Sequence, residues 1–315
     1  MRANYLSYSF LLLSLASCTN RSDDVVCESY HHRYGVALPA NEWSERGRNG
    51  QVISTLKDGV VVTRTYDAGV LDGESTYTFP HRETIERREI YSQGTLTQEI
   101  FCSSAGLPIR QVSYHSPSSR SVVIWYDNGA PQCQEEYDNQ ILVNGEYFTQ
   151  NNHQESVVMN GNGTRVYRDQ YGEMGYVDAV ESGQIQRRTT YHSGGTPESI
   201  TPYMNNTPEG LKQTYLPGGE PRSMERWVKG QQHGMTVYYE NGEKSKEMPF
   251  VNGKRQGIET RYRDDGQTVC EKVSWVNDNK HGPSHAFVGG EKQTDWYYRD
   301  QKVNKATFDA LRNQE

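Results

Sequence analysis

A repeat of about 23 residues is the feature that most constrains how this chain can fold. Near the carboxyl end three segments follow one another: HGMTVYYENGEKSKEMPF, QGIETRYRDDGQTVCEKVSW and HGPSHAFVGGEKQTDWYY. In each, a glycine is followed five residues later by an aromatic residue and three residues after that by a turn residue. The leading glycines are Gly234, Gly257 and Gly282, and Gly210 begins a similar segment upstream. Such a period favours an array of small units that bury surface against their neighbours.

The repeat predicts β-hairpins. Tyr91, Tyr114 and Tyr137 continue the period upstream, although the pattern is looser between residues 137 and 180, where we expect longer loops. Each unit holds two short runs rich in β-branched and aromatic residues, and one pair of runs flanks Asn241-Gly242, a dipeptide typical of type I′ turns. The sequence therefore predicts an all-β fold. It would be an elongated single-layer antiparallel meander, built from tandem hairpins of about 23 residues with short helical caps.

The segments outside the repeats have a different character. We expect a signal peptide at residues 1–17, a tether at 18–30, a capping segment at 31–65, the repeat array at 66–298 and a C-terminal cap at 299–315. In the first cap, PANEWSERG predicts a short helix and Asp58-Gly59 a hairpin turn. In the second, KATFDALRN predicts a helix, which we expect to cover the last strand edge.

The amino terminus has the pattern of an export signal. The apolar run FLLLSLA is too short to span a bilayer, and Leu15-Ala16-Ser17-Cys18 matches the bacterial lipobox. The lipobox match implies acylation of Cys18 and anchoring through several acyl chains. Thr19 in the next position favours the outer membrane. The alternative is an ordinary secretory signal that happens to end in cysteine.

Composition excludes some partners. The formal net charge is −7, whereas a protein that binds nucleic acid needs basic patches for phosphate, so we expect no nucleic-acid partner. Hydrophobic residues make up only 34% of the chain, which is too little for one thick core. Yet the 22 tyrosines, placed at regular intervals, argue against disorder. A thin, extended fold fits this composition.

Few residues are candidates for chemistry. The chain has no P-loop, HExxH or GxSxG motif, so we expect no enzyme, no cofactor and no metal. His31-His32 beside Cys27 would need further ligands to close a metal site. His233 and His281 occupy the same repeat position and are interpreted as frame residues, not catalytic bases. The recurring Glu and Lys residues are expected to solvate a sheet face.

The remaining cysteines leave their pairing open. An exported chain can form disulfides, and four thiols allow three connectivities, but the long spacings favour no pair. Free, structural and disulfide-bonded states are all compatible with the four positions, which are Cys27, Cys102, Cys133 and Cys270.

The repeated aromatic residues are the candidate binding surface. Tyr238 and Tyr239 are adjacent in a predicted strand and must point to opposite faces of the sheet. A single layer cannot bury both faces, so one face is expected to contact a partner. The candidates are Tyr238, Tyr239, Tyr262 and Phe287. The alternative is that these side chains form the packing spine between units.

The pattern resembles the variant MORN repeat of bacterial proteins called YwqK-family antitoxins. The matching residues are His233-Gly234, Tyr238-Tyr239, Asn241-Gly242, Gln256-Gly257, Tyr262, His281-Gly282 and Phe287. The resemblance implies a single-layer antiparallel sheet and a role in contact with protein or membrane.

Together these observations predict a non-enzymatic, lipid-anchored repeat protein that binds an unidentified protein partner at the cell envelope. Its contact with the membrane would run through the acyl chains on Cys18. Two alternatives stay open: a surface module that binds glycan or envelope polymer, and an antitoxin-type inhibitor of a toxin.

Overall fold

The fold comes from a computed structural model that describes residues 25–314. The predicted signal peptide and Cys18 lie outside the described residues. The chain divides after Pro108 into two compact units, called unit 1 and unit 2. Both consist almost entirely of antiparallel strands joined as a meander, so the predicted all-β fold and antiparallel meander are confirmed.

Unit 1 contains the first eight strands and one helix. These are β1 (Val25–His32), β2 (Ala37–Leu38), α1 (Ala40–Glu45), β3 (Gly50–Leu56), β4 (Val61–Asp67), β5 (Val70–Leu71), β6 (Gly73–Thr78), β7 (Ile85–Ser92) and β8 (Thr95–Cys102). Residues 25–30 of the predicted tether form the first part of β1, which pairs with β3. The helix predicted in PANEWSERG is α1, and its Trp43 packs against Tyr30 and Tyr66.

Unit 2 contains the remaining strands and the second helix. These are β9 (Pro108–Tyr114), β10 (Ser119–Trp125), β11 (Pro131–Asp138), β12 (Ile141–Phe148), β13 (Gln154–Met159), β14 (Asn162–Arg168), β15 (Met174–Glu181), β16 (Gln184–Tyr191), β17 (Pro197–Met204), β18 (Thr207–Pro208), β19 (Gly210–Tyr215), β20 (Pro221–Val228), β21 (Gln231–Gln232), β22 (Gly234–Glu240), β23 (Glu243–Val251), β24 (Lys254–Arg255), β25 (Gly257–Tyr262), β26 (Val269–Val276), β27 (Asn279–Val288), β28 (Glu291–Tyr298), β29 (Gln301–Val303) and α2 (Lys305–Arg312).

Two-residue turns set the period. From Asn139 onward, at one end of the strands, they recur after 21 to 25 residues, and both turn residues have positive φ, as in Asn277 (47°) and Asp278 (69°). Asn241-Gly242, at the opposite end, has φ values of 51° and 83°, which confirms the predicted type I′ turn. Hairpins continue without long loops through residues 137–180, so the expectation of longer loops there was wrong.

Each of several turns is hydrogen-bonded to the preceding turn or to the residues just after it. The amide of Gly253 donates to the carbonyl of Gln232 (2.8 Å), and the amide of Gly183 donates to the carbonyl of Gly161 (2.8 Å). A side chain adds a second bond: His233 Nδ1 accepts from the amide of Asn252 at 3.4 Å. His233 therefore holds the next turn, in agreement with its interpretation as a frame residue.

One face of unit 2 is packed. Paired residues share a face, and pairings such as Thr236 with Met248 and Glu259 with Val273 place the buried side chains together. We call this side the packed face and the opposite side the open face. Among the described strand residues of unit 2, the buried non-glycine side chains lie on the packed face, with Gln132 at a β-bulge as the exception. The packed face comprises Val112, Val122, Cys133, Glu135, Leu142, Tyr147, Val158, Asp178, Val180, Ser199, Thr201, Ser223, Thr236, Met248, Glu259, Val273 and Trp275.

Carboxylates are buried in the packed face, although the recurring Glu and Lys residues were expected to solvate a sheet face. Glu135 accepts hydrogen bonds from Arg165 Nε (2.6 Å), Tyr137 Oη (2.7 Å) and Tyr147 Oη (2.9 Å). Burial raises the pKa of Glu135, but the Arg165 guanidinium and these hydrogen bonds outweigh it and lower the pKa below its usual value. Asp178 is likewise paired with Arg188. A buried carboxylate is tolerated here because its charge and its lone pairs are matched.

A short sequence pattern marks many of these carboxylates. A Glu two residues before an aromatic residue lies on the same face, and the ring's hydroxyl or indole N–H donates to it. The pairs are Tyr30 with Glu28 (2.7 Å), Tyr91 with Glu89 (3.0 Å), Tyr137 with Glu135 (2.7 Å) and Trp227 with Glu225 (3.0 Å). Glu89 and Glu135 are buried, whereas Glu28 is exposed and the buried Glu259 lacks the pattern, so Glu-x-aromatic marks the hydrogen bond and not burial.

Candidate functional site

The open face of unit 2 carries exposed apolar side chains. A strand that is packed on one side normally shows polar residues on the other. Here the exposed apolar residues of the open face are Ile109, Ile141, Val157, Met159, Met204, Leu211, Met235, Val251, Ile258 and Val276. Exposed apolar surface concentrated on one face marks an interaction surface.

Three of the four predicted binding residues lie on the open face. Tyr239, Tyr262 and Phe287 occupy equivalent positions in successive hairpins, and Tyr215 extends the same row. Tyr238 lies on the packed face, where it contacts the cluster of Met248, Val273 and Trp275. The prediction that adjacent tyrosines point to opposite faces is confirmed, and the packed member is Tyr238.

The tyrosines of this row are held by their neighbours. Tyr262 Oη donates to Glu247 at 2.8 Å, and Lys244 Nζ lies 4.0 Å from the Tyr262 ring centroid. The hydrogen bond to Glu247, 2.9 Å long, is the main cause of the raised pKa of Lys244. Tyr239 Oη contacts Met224 Sδ at 3.2 Å. The rings are therefore fixed in position before any partner arrives, which lowers the entropic cost of binding.

A second row on the open face consists of aliphatic side chains. Leu211, Met235 and Ile258 are 48%, 46% and 56% exposed and lie at matching positions of β19, β22 and β25. The binding residues predicted from the sequence did not include this aliphatic row. Its signal is nevertheless present, because each residue directly follows a leading glycine of the repeat.

The leading glycines are required by the backbone. Gly210, Gly234, Gly257 and Gly282 have φ of 109°, 97°, 115° and 109°, a region that other residues rarely adopt. An added Cβ on Gly257 would also lie 3.0 Å from Pro249 Cγ. Glycine at this position allows each strand to start close to the preceding strand. The residue after it, Leu211, Met235 or Ile258, then points to the open face.

Helix α2 already occupies the end of the open face. Its N-cap Asn304 accepts a hydrogen bond from the Thr307 amide at 2.8 Å, and Phe308 is buried. The Phe308 ring centroid lies 5.0 Å from that of Trp296 and 5.3 Å from that of His281. We expected this helix to cover the strand edge. It packs on the face instead, where His281, Trp296 and Tyr298 contact Phe308, while β29 pairs with part of β28.

The open face of the C-terminal hairpins is rich in cations, although the whole chain is acidic. Glu247 is the acidic strand residue on this face between β19 and β28, as far as the structure describes it. The basic ones are Arg222, Arg226, Lys244, Lys254, Lys272 and Lys292. Burial, Lys292 and Lys272 together lower the pKa of His285, which lies among them. The strand residues of this surface therefore carry a net positive charge.

The structure does not assemble the other candidates into a site. His31 contacts Ser29 Oγ at 3.2 Å, while the His32 ring packs on Tyr34. Within residues 25–314 no cluster of metal-ligating side chains is found, and no helix is long and apolar enough to cross a bilayer. The four described cysteines are not disulfide-bonded. Burial raises the pKa of the Cys133 thiol to about 12.

The chain matches no protein-family model and no curated protein sequence. Among solved structures it is similar to TcdB2-TccC3 without its hypervariable C-terminal region, at 10% identity and a TM-score of 0.17, over 85% of this chain and 20% of that chain. A porin-like protein from Bacteroides uniformis ATCC 8492 gives 8% identity, a TM-score of 0.16 and coverages of 78% and 89%. BamB from Moraxella catarrhalis is 9% identical, with a TM-score of 0.14, over 80% of this chain and 82% of that chain.

The chain thus spans about a fifth of the length of the first of these structures. Their TM-scores are too low to support a conclusion about fold or function.

The leading glycines generate a stability prediction. Replacing Gly257 by Ala forces a side chain into a positive-φ position and against Pro249, so we expect a loss of about 2 kcal/mol in the free energy of unfolding. Urea denaturation followed by circular dichroism measures this loss. Gly194→Ala is the control, because Gly194 has no positive φ and open space at its Cβ position. An equal effect of both substitutions would contradict the assigned backbone role.

Proposed function

We propose that this protein is a non-enzymatic, lipid-anchored repeat protein that binds a partner protein at the cell envelope through the open face of unit 2. The observation that carries the proposal is the concentration of exposed apolar strand residues on that face. The packed face stabilises the array through buried side chains, whereas the open face contributes little burial. Its apolar content is therefore better explained by recognition than by folding.

The family context of the proposal is the variant MORN repeat. The hairpin period and the positive-φ leading glycines agree with the resemblance seen in the sequence. That resemblance implies contact with protein or membrane. Anchoring at the outer membrane rests on the lipobox at Cys18 and on Thr19, both outside the described residues.

A second candidate function is the binding of a glycan or envelope polymer. The observation that favours it is the aromatic row of Tyr239, Tyr262 and Phe287, since half-exposed rings can stack on flat ligands. The aliphatic row of Leu211, Met235 and Ile258 favours a protein, because branched and thioether side chains suit apolar packing better than carbohydrate.

The anchor generates a prediction about localisation. Cells that express the protein with labelled palmitate are expected to yield labelled protein in the membrane fraction. Cys18→Ala should abolish both the label and the membrane association. The control is Cys27→Ala, which removes an exposed cysteine just outside the lipobox and should change neither. An unlabelled wild-type protein in the cytoplasmic fraction would refute the anchor and favour the antitoxin-type alternative.

The adjacent tyrosines generate a further prediction. Tyr239→Ser removes a ring from the open face, so we expect severalfold weaker recovery of cross-linked partner and a stability loss under about 1 kcal/mol. Tyr238→Ser removes a ring from the packed cluster and should cost about 2 kcal/mol in unfolding free energy. Chemical denaturation and pull-down from cross-linked membranes measure the two effects. If Tyr239→Ser instead unfolds the protein, the open-face row belongs to the packing spine.

The same pull-down distinguishes a protein partner from a glycan or envelope polymer. Protease treatment of the captured material should destroy the complex if the partner is a protein. A complex that survives protease but not glycosidase would assign the surface to a glycan.

A further inference from the structure

The aliphatic row is continuous with the surface that α2 covers. Cross-strand neighbours on the open face run from Leu211 through Met235 and Ile258 to Pro283, which pairs with Trp296. Phe308 of α2 lies on Trp296 at the end of this row. The row is thus buried by a helix at one end and exposed over the preceding hairpins.

The contacts of α2 show which side chains can pack at the end of this row. Phe308 is 4% exposed although it belongs to an eight-residue helix, because Trp296, His281 and Tyr298 surround it on the sheet. So short a helix has little stability of its own. The burial of Phe308 therefore contributes to holding α2 in place, together with its chain connection to β29 and the Lys305 contact with Trp296.

The spacing of the exposed residues also suits a helix. Met235 and Ile258 lie two strands apart, which is about 9.6 Å at the usual separation of strands. A helix rises about 1.5 Å per residue, so side chains six to seven residues apart meet successive members of the row. A stripe of apolar residues on one helix face has this spacing.

The charges near the row indicate which side chains a docked helix would carry beside its apolar stripe. Arg226 lies in the row between Leu211 and Met235, and Lys272 lies beside Ile258. Both are basic residues on the cation-rich open face described above. A helix that buries its apolar stripe here would bring its flanking positions close to these cations. Acidic side chains at those positions match this positive charge, and basic ones oppose it.

We propose that the partner docks an amphipathic, acid-flanked α-helix along this row, next to α2, with its apolar stripe on Met235 and Ile258. The inference rests on the proposed protein-binding function and specifies which row is used and what chemistry it takes. Two observations carry it: the row continues an existing helix contact, and its charge complements an acidic helix.

The test uses the full chain in lipid nanodiscs and a synthetic helix as probe. The probe has about 20 residues, enough to cover roughly 30 Å, with Leu in one stripe and Glu on both flanks. Binding is measured by fluorescence anisotropy. We expect the double variant Met235→Ser, Ile258→Ser to weaken binding by at least about tenfold, as loss of central apolar contacts does. Val288→Ser is the matched control. It removes an aliphatic residue that is 60% exposed on the opposite face, and it should leave binding within about twofold.

A second probe tests the charge requirement. The same helix with Lys in place of Glu should bind at least about tenfold more weakly at low salt, and the difference should shrink as salt screens the charges. Circular dichroism and the unfolding midpoint establish that the variants are folded. The inference is overturned if the Glu-flanked helix does not bind, if the double variant binds it as well as wild type, or if the Lys-flanked helix binds equally.

Failure of this inference is distinguishable from failure of the proposed function. If a protein partner is cross-linked from membranes but the helix probe does not bind, the function stands and the helix inference falls. If no protein is cross-linked from membranes, the proposed function itself falls.

Discussion

The hydrogen bonds from one two-residue turn to the chain just after the turn before it are the constraint on which the rest of the array depends. Most of these turns hold two residues at positive φ and donate an amide to the chain just after the turn before them, as Gly253 does to Gln232. This bond fixes the distance between units at two strands and prevents a slip of register, which would exchange the two faces. The same constraint explains the leading glycine. Between the turn and the next strand the backbone passes through a positive φ, and a Cβ there would crowd the preceding strand.

A fixed register divides the functions of the two faces. The packed face gathers buried Val, Tyr and Trp together with carboxylates matched by arginine, so the array stabilises itself through neighbour contacts. The open face is then available for recognition along many hairpins. Rigid β-hairpins position its side chains at a regular interval, which suits a repetitive partner surface such as a helix. The seat of α2 on this face shows that such a contact is compatible with the fold.

Much of the fold could be predicted from the sequence, because period, turn chemistry and strand alternation are local signals. Asn241-Gly242 marks its turn, and the Tyr238-Tyr239 pair predicts two faces. Other features depend on tertiary contacts that leave no local mark. Lys229 and Arg299 adopt positive φ in turns that neither residue type favours, which tertiary contacts must compensate. Likewise, which tyrosine is packed, and that Glu135 is buried, follow only from the register of neighbouring strands.

The central claim is that the open face, not the packed face, recognises the partner. Site-specific photo-cross-linking in living cells tests it most directly, with a benzophenone side chain placed at Ile258 on the open face or at Val288 on the opposite side. The account predicts one discrete cross-linked protein from Ile258 and none from Val288, with both proteins folded and anchored. Equal cross-linking from the two positions, or cross-linking from Val288 alone, would contradict it.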